Sequence, residues 1–339
     1  MLIGLFESGM ARCFMQRRIK VAIIDSNITA NYICDSALIR EYVSLKQRTE
    51  DNLQEGEIEI KKNNTPQNAD EASHGTLVVN TMVKYSREIP MEFYIYDVFD
   101  KYGKSSGSVL VEALRQILEM EIDIVVMSLT CSMIYEEDFC QLRDTIEEKK
   151  VIMICSSSNS GKRCCPAYLD FVYGVTGGKT NVCGKYRYET GRELQFWSDV
   201  QGEFIGTPGK YSFFCGTSKA TAVVAGRLAC YLFENGKDAL LKYLSCTHDE
   251  LKDVVEECDC SDAVNKELLS KFCKVFQLSE SKCIEYMDVL IPWNSDNVRT
   301  FELFMKQVGL EKEILKLNYS EFATLRQIMQ SCEKRLFHT

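Results

Sequence analysis

The chain has 339 residues, 45% of them hydrophobic and 26% charged, a globular composition with no low-complexity tract. Its 40 Lys and Arg against 49 Asp and Glu leave a formal net charge of −9, which argues against a nucleic-acid partner. No apolar run reaches membrane-spanning length, so a membrane partner is not expected either.

In chain order, residues 1–19 read as an N-terminal extension. In "MLIGLFESGMARCFMQRRIK" the apolar start precedes the basic residues, the reverse of a secretory signal, which predicts a cytoplasmic protein. From Lys20 onward, "KVAIID" (20–25), "MEFYIYDVF" (91–99), "DIVVMSL" (123–129), "VIMICSSS" (151–158) and "FVYGVTG" (171–177) are continuous apolar runs, as buried parallel strands require. Between them, 108–120 and 137–149 space apolar residues three and four apart and predict helices. This alternation predicts an α/β domain with a parallel sheet covered on both faces, over 20–236. Residues 44–72 are polar and charged and read as a surface excursion. After Asp238 only helical patterns appear, so 237–339 is expected to form a smaller all-α domain. The sixteen cysteines are scattered, with no C-x-x-C pair and no zinc-type spacing. Reduced, mostly buried thiols are expected, with no metal and no cofactor.

Four short stretches carry chemistry. Asp25 closes the strand "KVAIID", where functional groups of an α/β sheet gather; taken alone it could simply cap the next turn. His74, one of three histidines, opens the helical run "HGTLVVNTMV" and alone would be an ordinary helix-start residue. Asn159 in "SSSNSG" follows a strand and alone would be a turn former. Ser218 in "FFCGTSKATAVVAG" begins a run of small residues. It opens either a tightly packed buried helix or a helix whose N-terminus presents a nucleophile.

Together these stretches, with "VVMSLTCS", resemble the subtilisin-like serine proteases over about residues 20–233. The resemblance implies a three-layer catalytic domain with a triad in the order Asp25, His74, Ser218, and Asn159 as a donor to the oxyanion. It further implies that a peptide lies as an extended strand between 101–109 and 127–132. Substrate contacts are then expected at Gly103, Ser105, Ser106, Gly107, Ser128, Leu129 and Thr130. A cis bond is implied at Cys165–Pro166. There are departures. The family's glycines after "MSL" are Thr130 and Cys131, which narrows the room for a peptide, and a family proline is replaced by Ala222. Lys219 follows the nucleophile where an uncharged residue is usual. It is expected either to reach water or to meet an acidic substrate residue just after the scissile bond. With 24 residues before Asp25, no folding pro-domain is expected.

The function so implied is an intracellular serine endopeptidase that matures a dedicated peptide, such as the leader of a ribosomally made modified peptide. The rival is a pseudoprotease that captures a partner in the same groove. The C-terminal helices faintly resemble the last helices of acyl carrier proteins, with Ser295 at the modified position but Asn294 where the carrier motif has aspartate. A structural or peptide-recognition bundle is the other reading.

Overall fold

The computed structural model describes residues 17–47, 58–62, 65–100, 102–178, 184–207, 210–249, 265–289, 291, 293 and 295–337. In chain order the strands are β1 (Ile19–Asp25), β2 (Leu38–Gln47), β3 (Ile58–Lys62), β4 (Met91–Asp97), β5 (Ile124–Met127) and β6 (Ile152–Ser156). They continue with β7 (Tyr173–Gly178), β8 (Tyr186–Tyr188), β9 (Phe196–Asp199), β10 (Glu203–Thr207), β11 (Lys210–Phe214) and β12 (His248–Asp249). Ten of them form one sheet in the order β12-β8-β9-β7-β6-β5-β1-β4-β2-β3, while β10 and β11 pair as a separate antiparallel hairpin. From β9 across to β2 every pairing is parallel; β3, β8 and β12 pair antiparallel at the margins.

The central strands are apolar on both faces because both faces are covered. Ile23 and Val126 point into one layer, where they meet α1 (His74–Tyr85) through Val78 and Met82. Their neighbours Ile24 and Met127 point into the other, against α2 (Gly107–Ile117), α3 (Glu136–Cys140) and α4 (Arg143–Glu148). The first layer is completed by α5 (Gly216–Asn235) and α6 (Lys237–Tyr243), through Val224, Leu228 and Leu240. A third core is built by the helices Lys266–Phe276, Ser295–Gln307 and Leu325–Phe337, with Phe272, Phe301, Phe304 and Met329 at its centre. Among the described residues no helix is long and apolar enough to cross a membrane.

Several expectations shift. The helix expected over 137–149 is two short helices, α3 and α4, divided at Gln141–Leu142. The excursion at 44–72 holds the edge strand β3, whose Glu59, Lys61 and Lys62 give the sheet a charged border. The stretch after Asp238 is not wholly helical: β12 extends the sheet on β8, and Leu240 and Leu244 belong to the sheet core. A two-residue strand is too short to leave a period in the sequence. Ser295 is the first residue of its helix, and Asn294 lies outside the described residues.

One contact sets the spacing of the first layer. A Cβ at Gly226 on α5 would stand 2.6 Å from the carbonyl oxygen of Met82 on α1, so only glycine permits this crossing. Gly226→Ala must push the two helices apart and should destabilise the fold by about 1–3 kcal/mol. Urea unfolding with an unchanged m-value checks this; an unaltered midpoint would refute the tight crossing.

Candidate active site

The carboxyl ends of the parallel strands gather the candidate residues. Asp25 ends β1 and is fully buried. The loop beyond it pins the start of α1. Ser73 caps that helix, its Oγ accepting from Thr76 N and donating to Asn27 O at 2.6 Å. Gly75 N donates to Ser26 Oγ at 2.9 Å, and a Cβ at Gly75 would lie 2.6 Å from the Ser26 carbonyl. This fit sets His74 Nδ1 2.7 Å from Asp25 Oδ1, which also accepts from Ser26 N at 2.7 Å. A carboxylate partner makes Nδ1 the donor, so the neutral ring presents Nε2 as an acceptor. Burial pulls the His74 pKa down, but the charge and hydrogen bond of Asp25 outweigh it and the pKa is raised above 6.5.

Ser218 is the third residue of α5. Gly216, at φ +85°, supplies the left-handed backbone that turns β11 into the helix, a conformation costly for other residues. Thr217 then locks the turn, its Oγ1 donating to Ser157 O at 2.9 Å and its N to Asn159 Oδ1 at 3.1 Å. Ser218 Oγ donates to the Ser128 carbonyl at 3.0 Å. Asn159 is exposed, and its Oδ1 accepts from both the N and the Oγ1 of Thr217. A cavity of about 620 Å³ beside this centre is lined by His74, Ser128 and Gly103, together with Ser26, Lys46 and Asp97.

A second cavity, of about 360 Å³, is lined by Ser105, Ser106, Gly107, Leu129 and Thr130. Seven of the expected substrate contacts therefore border two adjoining cavities. Gly107 has another reason to be small: a Cβ there would enter the Tyr135 ring at 2.1 Å. Cys131 exchanges both backbone hydrogen bonds with Cys165, at 2.9 and 3.0 Å, so its N–H and C=O are spent within the chain. The Cys165–Pro166 bond is cis, as the resemblance implies.

Lys219 needs correction. It neither reaches water nor borders the cleft; it is fully buried, its Nζ 2.9 Å from Asp199 Oδ2 and 2.7 Å from Gln201 O. Consecutive helical residues point about 100° apart, so Ser218 at the mouth turns its neighbour inward. A contact between Lys219 and an acidic substrate residue is thereby excluded. The residues that sequence reasoning missed are Lys46, Asp97, Tyr135 and Phe214. Phe214 stands edge-on to His74 with ring centroids 5.5 Å apart, and no spacing or motif marks it.

The sequence model of the subtilase family matches residues 16–259, more than half of the chain. The chain belongs to the subtilase family. An intracellular serine protease of Paenibacillus polymyxa is 25% identical over 231 residues, 63% of this chain and 66% of that protein's own length, just under two thirds. Two solved structures share the fold. A cold-adapted subtilisin-like serine proteinase has TM-score 0.50 and 17% identity over 67% of this chain and 80% of its own. Sphericase has TM-score 0.51 and 17% identity over 67% and 81%.

In this subtilase the raised pKa of His74 is open to direct measurement. With three histidines in the chain, the imidazole signals can be followed one by one by NMR. His74 should titrate above about 6.5, and Asp25→Asn should lower its midpoint by removing the charge that raises it. The pair stabilises the folded state fully below about pH 6.5, and that contribution fades as pH rises through the raised value. A midpoint unmoved by Asp25→Asn would refute the stated cause.

Proposed function

We propose that this subtilase is a serine endopeptidase in which Asp25, His74 and Ser218 form the catalytic triad. The observation that carries the reading is the 2.7 Å bond from a helix-start histidine to a buried strand-end carboxylate, with the helix-borne Ser218 hydrogen-bonded to Ser128, which lines the same cavity as His74. Ser218 Oγ, rotated off the Ser128 carbonyl, bonds to the scissile carbonyl carbon while its proton passes to His74 Nε2. The Asn159 amide and the Ser218 N–H receive the oxyanion. The C–N bond then breaks as His74 returns the proton to the leaving amine, and water releases the acyl group by the same steps. Asp25 keeps the imidazole tautomer and stabilises the imidazolium.

The substrate side is a peptide strand laid between 103–107 and 128–130, with the two cavities receiving its side chains. We assign this subtilase to the cytoplasm and to maturation of a dedicated peptide, such as the leader of a ribosomally made modified peptide. The Paenibacillus relative, named an intracellular serine protease, supports the location. The helical region beyond the family match leaves room for a unit that recognises such a substrate. We take the catalytic unit, expected over 20–236, to extend through β12, and the helical domain to begin near Asn265, a division supported by the pairing of β12 with β8 and by the helix that follows Asn265.

A fluorophosphonate probe should label the wild-type protein and not Ser218→Ala. Ser218→Ala and His74→Ala should each reduce kcat below about a hundredth of wild type with melting temperatures little changed, since triad residues act as a unit. Absence of labelling in a folded wild-type protein would favour the partner-capturing reading instead.

A further inference from the structure

The β10–β11 hairpin has two faces, set by strand alternation. Phe204 and Phe213 pair across it and point into the C-terminal core. The Phe204 ring lies 5.8 Å from Phe301 and 5.3 Å from Phe322, and Phe213 lies 6.2 Å from Trp293. Their neighbours Glu203 and Phe214, also paired, point the opposite way, into the catalytic layers. Phe214 reaches the ring of His74. Glu203 is fully buried and accepts from Tyr85 Oη at 2.7 and 2.8 Å and from Lys84 Nζ at 2.5 Å.

Lys84 also donates to the carbonyl of Leu315 in the C-terminal region, at 2.9 Å. On the other side of Glu203, at 3.5 Å, is the ammonium of Lys219, the residue next to Ser218. Two lysines and the carboxylates of Asp199 and Glu203 thus make a balanced cluster that runs from the C-terminal backbone to the helix turn carrying Ser218. Burying three of these charges, with Lys84 partly exposed beside them, is expensive, and an apolar set of similar volume would hold two elements together as well or better. What the ions add is direction: each hydrogen bond fixes where its helix or strand must sit.

We propose that the C-terminal helical region clamps the β10–β11 hairpin, and that Lys84 and Lys219 are positioning residues acting through Glu203 to hold Ser218 and His74 at reacting distance. The proposal rests on Ser218 being the nucleophile. Small displacements at a reacting pair are costly: a shift near 1 Å from a remote change can cost about a hundredfold.

The test uses the full chain and a fluorophosphonate probe, with the maximal labelling rate and the half-saturating probe concentration measured separately. Lys84→Met should slow the maximal rate by about tenfold or more while the half-saturating concentration stays within about twofold, the pattern of lost positioning rather than lost binding. Lys84→Arg, which keeps the charge at a partly exposed site, should restore most of the rate. The paired variant Lys219→Met/Asp199→Asn removes one charge of each sign; it should melt near wild type and still label slowly. A Lys84→Met protein labelling within about twofold of wild type, or a paired variant with the wild-type rate, overturns the proposal. Equal labelling of wild type and Ser218→Ala overturns the nucleophile assignment instead, and the positioning role with it.

Discussion

The site depends on the crossing of α1 and α5, where the backbone of Gly226 meets the Met82 carbonyl. One helix begins with His74 and the other presents Ser218 at its first turn, so the crossing fixes how near these two can come. Small residues are what a close crossing requires. Ala220, Ala222, Ala225 and Ala229 are all fully buried along the same helix. The run that looks featureless in the sequence is therefore a spacing device. It also explains why Ala222 is acceptable where the family has proline: an alanine keeps its N–H for the helix and still leaves room for the sheet.

Two sets of charges are buried near that crossing, and they are arranged for opposite ends. Asp25 is paired with a histidine whose side chain is 41% exposed, so the pair can gain and lose a proton. Lys219 is paired with groups as buried as itself. Burial raises the Asp199 pKa against the pull of Lys219, whereas at Glu203 the charges of Lys84 and Lys219 overcome burial and lower it. The difference follows from the number of cations each carboxylate meets. The pair at the mouth can exchange its proton with solvent, whereas Lys219, Asp199 and Glu203 are shut away from it.

The fold was legible where burial leaves a pattern. Long apolar runs for β1, β4, β5 and β6 exist because both faces of those strands are covered, and the expected ranges agree with the observed ones to within a few residues. The residues that meet at the carboxyl ends were legible because chemistry needs particular types there: a carboxylate, an imidazole, an amide and a hydroxyl. Lys219 was not, since a lysine ordinarily reaches water and its burial depends on Asp199 and Gln201, partners on another element that its own segment does not announce. Tyr135 was hidden for another reason. Its ring fills the space left by Gly107, a contact between residues far apart in sequence that neither segment announces alone.

The hairpin escaped notice for a reason that bears on what it does. A strand with one wet face alternates apolar and polar residues, but "EFIGT" and "KYSFF" show no such alternation, because Glu203, Phe204 and Ile205 are buried in succession and Phe213 and Phe214 turn to opposite covers. One cover is the catalytic domain and the other is the helical region. A strand held between two cores cannot shift toward either without opening a gap in the other, and dense packing makes such gaps costly. The final residue of that strand, Phe214, lies against His74, and two residues later the left-handed turn at Gly216 leads to Ser218. The packing that removed the sequence signal is thus the same packing that ties the helical region to Phe214 and, through it, to His74.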